Sequence, residues 1–257
     1  MGASPGRSAV VCVGAATYDF IAVVRGAVAP DVRLAAQDFL QGYGGPAAQA
    51  SVTLARLGVP VSFVGRVGAD EWGRRIRDGL EAEGVEISGL RAVPGGRSAS
   101  SVIVVDTETG RRAIAAFAGV TPAPALAPED LERCDAAQWV HVDQAGYPTL
   151  SELRRAGIRT PVSVDAGNPI PGLDLGGIAL YSPTESALRS TFGGDAHEAL
   201  RRALAAGAGT AVVTRGAAGS LAAQADETVA GGVRFTSVPV PEVRPIVSTL
   251  GAGDVFH

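Results

Sequence analysis

Ser248-Thr249-Leu250-Gly251-Ala252-Gly253-Asp254-Val255-Phe256-His257 is the last stretch of this 257-residue sequence and its most informative one. Small residues directly before an apolar helical start let backbone N–H groups approach an anion, and the helix dipole favours negative charge at that end. An aspartate in the first turn of such a helix is placed to accept a proton from a hydroxyl. Phosphoryl transfer needs this arrangement, because its catalysis consists mostly of positioning and charge stabilisation. The same letters also suit an ordinary loop leading into a helix with an acidic first turn, so the rest of the chain has to decide.

Upstream, short apolar runs alternate with helical patterns. Ala9 to Val13, closed by Gly14, reads as a buried strand, and Phe20 to Val24 as a second. After Gly42, Gly44 and Gly45, the stretch Pro46 to Leu57 has helical spacing between a leading proline and a trailing Gly58. Val61 to Val64 then predicts a strand and Glu71 to Glu83 an arginine-rich amphipathic helix. Ser98 to Val105 and Arg111 to Phe117 are joined by a short polar link, Asp106 to Gly110, as in a hairpin. With Phe20 to Val24 they predict a small sheet outside the main one.

The alternation resumes with strands at Trp139 to Val142, Val162 to Val164, Ile178 to Tyr181 and Ala211 to Thr214. Helices fall around Leu150 to Ala156, Glu185 to Phe192 and Ala196 to Ala206, and strands return at Ser220 to Gln224 and Gly232 to Pro239. This rhythm predicts an α/β fold with three layers and a mostly parallel central sheet. Residues 1–8 read as a loose tail before one domain.

Composition removes several functions. Hydrophobic residues at 46% against 19% charged place the chain among packed globular domains. All 22 basic residues are arginine, which excludes a P-loop and Schiff-base chemistry, since both need a lysine. The net charge of −4 and the scattered arginines argue against nucleic acid as a partner. Cys12 and Cys134 read as buried reduced thiols, and His141, His197 and His257 are too far apart for a helical two-histidine metal motif. No run of 18 apolar residues offers a membrane span, and a cytoplasmic protein is expected.

Five motifs occur in one order: Gly14 with Asp19; Gly44, Gly45 and Gln49; Gly65, Val67, Gly68, Asp70 and Gly73; Thr214, Gly216 and Gly219; and Ser248 to Asp254. Together they resemble the ribokinase-like carbohydrate kinases, over Val10 to His257. The resemblance implies a ribokinase-like fold whose small sheet (about 20–24, 98–105 and 111–117) is a β lid. It implies ATP with Mg2+, and a sugar or nucleoside acceptor. Asp254 would be the catalytic base and Gly251, Ala252 and Gly253 the anion hole. Thr214, Gly216 and Gly219 would lie on the nucleotide side. Asp19, Gly44, Gly45 and Gln49 would hold the acceptor, with Asp143 matching an acidic position near it. A homodimer through the lid is a partner the resemblance allows.

Departures from the family pattern bear on activity. Gln49 and Ser248 replace an asparagine and an aspartate of the family's signatures, and Thr184 and Ala187 stand where its Asn-x-x-Glu element falls. Family members also continue past the last motif with further helices. The expectation is therefore a C-terminally shortened kinase domain with weak or no activity of its own. A degenerate, non-catalytic binder of sugar or nucleotide is the alternative. A dinucleotide-dependent oxidoreductase fits poorly, because Gly14 to Asp19 is not a triple-glycine turn opening a helix.

Overall fold

A computed structural model describes residues 8–26, 29, 31–120, 126–242 and 251–256 of the chain. Residues 1–7 of the expected tail, Ser248 and His257 lie outside the described residues. In chain order, the elements begin with β1 (Val10–Val13), β2 (Thr17–Val24), β3 (Ala36–Gly44), α1 (Pro46–Arg56), β4 (Val61–Gly68), α2 (Glu71–Ala82) and β5 (Leu90–Val93). They continue with β6 (Ala99–Asp106), β7 (Arg112–Phe117), α3 (Pro128–Ala136), β8 (Trp139–Val142), α4 (Leu150–Arg155), β9 (Val162–Ala166) and β10 (Leu180–Pro183). The rest are α5 (Glu185–Phe192), α6 (Ala196–Ala205), β11 (Thr210–Thr214), β12 (Ser220–Ala225), β13 (Val233–Val238) and α7 (Ala252–Phe256).

Local chemistry sets the helix starts. Pro46 opens α1, where its missing N–H costs nothing. Asp70, Thr184 and Asp195 cap α2, α5 and α6 by accepting from the amides of Gly73, Ala187 and Glu198.

The nine-stranded main sheet runs β13-β12-β11-β10-β9-β8-β1-β4-β5. It is parallel from β11 to β5 and antiparallel from β11 to β13. Both faces are buried: Val11 and Val13 of β1 enter one apolar cluster while Cys12 between them enters the other. Burial pushes the Cys12 thiol up, and the Cys134 thiol to about 12, so both stay protonated near neutral pH. β1 lies between β8 and β4, so the strand order reverses beside it. A reversal of this kind opens a crevice at the carboxyl ends of the strands, where open α/β sheets bind ligands. No helix among the described residues is long and apolar enough to cross a membrane.

The second sheet has four strands, β3-β2-β6-β7, and only β2 and β6 run parallel. The three predicted strands are there, but β2 begins at Thr17 rather than Phe20, and β3 is a fourth strand that the sequence reading lacked. β4 also continues beyond Val64 to Gly68, and α3 and β5 were not anticipated.

The Gly68-x-Asp70-x-x-Gly73 motif anchors the entry into this sheet. Asp70 accepts the amide of Ser98 at 2.8 Å and its hydroxyl at 2.5 Å, while Gly68 donates its amide to the same hydroxyl oxygen at 3.0 Å. A Cβ at Gly73 would fall 2.0 Å from the Gly68 carbonyl oxygen, so only glycine allows the helix to approach that closely.

Candidate active site

The crevice beside β1 is built around one carboxylate. Asp143, directly after β8, is fully buried and accepts four backbone amides. Ala15 (2.8 Å) and Ala47 (3.2 Å) donate to its Oδ2, and Ala145 and Gly146 (2.8 Å each) to its Oδ1. Burial raises its carboxyl above the usual range, the amides of Ala15, Gly146 and Ala47 pull it back, and nearby Asp165 pushes the same way as burial. A Cβ on Gly14 would sit 2.2 Å from this carboxylate, which explains the glycine at the end of the first strand. Gly45 caps α1 with φ 99° and offers no side chain to its free amides. The Ala47 amide turns to Asp143 instead, and the Ala48 amide to the Ala15 carbonyl.

Asp19 comes from β2, with its Oδ1 accepting the Thr17 hydroxyl at 3.0 Å. Burial raises its carboxyl, against hydrogen bonds from Thr17 and Ser101 that lower it. A Cβ at Gly44 would stand 2.1 Å from the Asp19 Oδ2, so the glycine makes room for the carboxylate. Gln49, one turn into α1, donates its side-chain amide to the Tyr43 carbonyl at 3.1 Å. Asp254 lies in the first turn of α7, which packs beside α1. Gly251 precedes that helix with φ 74° and its carbonyl accepts the Val255 amide at 3.0 Å.

These residues meet around one cavity of about 760 Å³, lined by Asp19, Gly44, Gly45, Gln49, Asp143, Gly251, Gly253 and Asp254 among others. That size suits a small-molecule site. Ala252 is absent from the lining, and so are Thr214, Gly216 and Gly219. Thr214 pairs instead with Thr184, which does line the cavity, so the Thr214 turn sits one strand further along the sheet.

The sequence reading missed several lining residues, Asp165, Gly167 and Asn168 on the main sheet and Ser101, Ile103 and Ile114 on the small one, whereas Thr184 falls at the position of the family's Asn-x-x-Glu element and Arg112 is one of three lid arginines, with Arg97 and Arg111, that could meet a charged substrate. The signal for Asp165 was present, since it follows an apolar run as Asp143 does and its strand, β9, lies beside β8.

Known proteins place this arrangement. The chain is 29% identical over 216 residues to an uncharacterized sugar kinase of Archaeoglobus fulgidus, a match that covers 79% of this chain and 82% of that protein. It is 33% identical over 128 residues to a fructokinase of Klebsiella pneumoniae, covering 46% of this chain and 41% of that protein. The fold is similar to that of the Arabidopsis thaliana ribokinase solved with ribose and ATP, with TM-score 0.80 and 24% identity over 97% of this chain and 83% of that one. The ribokinase-like architecture expected from the motifs is thus borne out. Residues 7–257 match the pfkB family carbohydrate kinase model, and the chain belongs to that family.

Proposed function

We propose that the chain catalyses ATP-dependent phosphoryl transfer to a hydroxyl of a sugar or nucleoside, within the cavity at the strand reversal, at a rate lowered by the altered signature residues Gln49, Thr184 and Ala187. The observation that carries this reading is that Asp19, from the small sheet, and Asp254, from the C-terminal helix, line the same cavity. Asp19 accepts acceptor hydroxyls beside Gly44, Gly45 and Gln49. Asp254 takes the proton of the reacting hydroxyl as its oxygen bonds to the γ-phosphorus and the bond to the ADP oxygen breaks. The amides of Gly251, Ala252 and Gly253 face the charge that develops on the phosphoryl oxygens. Thr214, Gly216 and Gly219 bound the nucleotide side, one strand beyond the cavity wall. Asp143 serves the acceptor through the loops it holds, because both its oxygens are taken by amides.

Magnesium would come with the nucleotide. Among the described residues no group of three or more His, Cys, Asp or Glu is arranged to hold a metal, so water and phosphate would supply most of its ligands. The four-stranded sheet is read as a lid that excludes water from the transfer.

Acceptor-dependent ADP formation tests the reading. Release of ADP that rises with a sugar or nucleoside supports it, whereas ligand binding with no ADP above background favours the non-catalytic alternative. Gly44→Ala should push the Asp19 carboxylate aside and raise the acceptor KM by about 10- to 100-fold, with the ATP KM little changed. An unchanged acceptor KM would remove Asp19 and Gly44 from the acceptor site.

A homodimer through the lid is part of the same proposal. Phe39 and Val102 are 55% and 54% exposed, on the face of the sheet away from Asp19. Light scattering should give twice the chain mass for the wild type and the single mass for Val102→Asp. A monomeric wild type at micromolar concentration would contradict it.

A further inference from the structure

The cavity face of the small sheet is ordered in rows across its strands. The first row holds Gly42, Asp19, Ser101 and Ala116, and the second Leu40, Ile21, Ile103 and Ile114. The third holds Asp38, Val23, Val105 and Arg112. Polar and small residues thus give way to a band of branched aliphatics, and then to a charge.

Arg112 is the one cationic side chain lining the cavity among the described residues, against four carboxylates, Asp19, Asp143, Asp165 and Asp254. Its guanidinium has no hydrogen bond, ion pair or ring contact among the described residues. The acid in its own row, Asp38, is three strand spacings away, about 14 Å. No partner among the described residues therefore accounts for a cation on this face.

We infer that Arg112 is a specificity residue that binds a phosphate group at the far end of the acceptor, so that sugar monophosphates are preferred to free sugars. This rests on the acceptor site proposed above. An acceptor whose hydroxyls meet Asp19 lays its carbon skeleton on Ile21, Ile103 and Ile114 and presents its other end to Arg112. Arg112 stands four residues along the strands from the Asp19 row, about 13 Å, and two strand spacings across from Asp19 itself, about 10 Å, a diagonal of about 16 Å that a phosphorylated sugar and the long arginine side chain can span together. The aliphatic band offers nothing to a hydroxyl, whereas the guanidinium fork matches phosphate oxygens in pairs. Arg112 also shares its face with Asp19 and not with the Thr214 turn, which favours the phosphate of the acceptor over those of the nucleotide.

The test compares pentoses and hexoses with their monophosphates at saturating ATP, for the wild type, Arg112→Gln and Arg112→Lys. Wild-type kcat/KM should be higher for a monophosphate than for its free sugar. Arg112→Gln should lose about 10- to 100-fold of that value through KM, leave free-sugar kinetics and the ATP KM unchanged, and recover in part as Arg112→Lys. Equal losses on both acceptor types would show that Arg112 serves the transferred phosphoryl or the fold, and would overturn the inference, as would a wild type that prefers free sugars. Calorimetric titration of the same monophosphates separates the two proposals. If no acceptor is phosphorylated, the kinase reading fails, yet monophosphate binding that is lost in Arg112→Gln still supports the site and absent binding refutes it.

Discussion

Asp254→Asn should lower the turnover number by at least about 10²-fold while the melting temperature and the acceptor KM stay near their wild-type values. Asparagine keeps the size of the side chain and removes only the basic carboxylate. General-base assistance is worth about 10² to 10⁴ in rate, which sets the lower bound. The proposed site puts acceptor affinity elsewhere, on Asp19, Gly44 and Gly45. Steady-state kinetics of the two proteins decide the matter. Wild-type turnover in Asp254→Asn would take the base away from this residue and leave α7 as a purely electrostatic element.

Asp143→Ala should act on the fold instead. The carboxylate satisfies amides of Ala15, Ala47, Ala145 and Gly146, which belong to three different segments meeting at the strand reversal. Leaving a buried donor unsatisfied costs about 1–3 kcal/mol, so four orphaned amides should cost at least about 3 kcal/mol even after water enters the gap. For a chain of this size that corresponds to a fall in melting temperature of about 6–12 °C. Thermal unfolding followed by circular dichroism measures it. If Asp143→Ala melts like the wild type but no longer binds acceptor, Asp143 is a direct ligand and its amide partners are incidental.

The contrast between these two aspartates shows what sequence can and cannot carry. Both follow or open an element in a glycine-rich setting, and both read as site residues. Only the directions of four backbone amides, set by chain segments up to 128 residues apart, give Asp143 a different task from Asp254. The main sheet was legible because its strands are short apolar runs punctuated by glycine, and α5 (Glu185–Phe192) falls where its spacing predicts. β3 was not legible. Its Gln37, Asp38, Gln41 and Gly42 carry no strand pattern, and it is a strand because β2 supplies its hydrogen bonds. Arg112 was legible only as one of three lid arginines that either meet a charged substrate or face solvent, and its register with Val105 is what puts it, rather than Arg97 or Arg111, over the cavity.

The central claim is that one cavity brings an acceptor hydroxyl and a phosphoryl donor together. Mass spectrometry of the acceptor after incubation with the chain and ATP tests it most directly. The account predicts a singly phosphorylated sugar, sugar phosphate or nucleoside, formed in equal amount to the ADP released. Acceptor recovered unmodified, whether ATP has been hydrolysed or left intact, would contradict it.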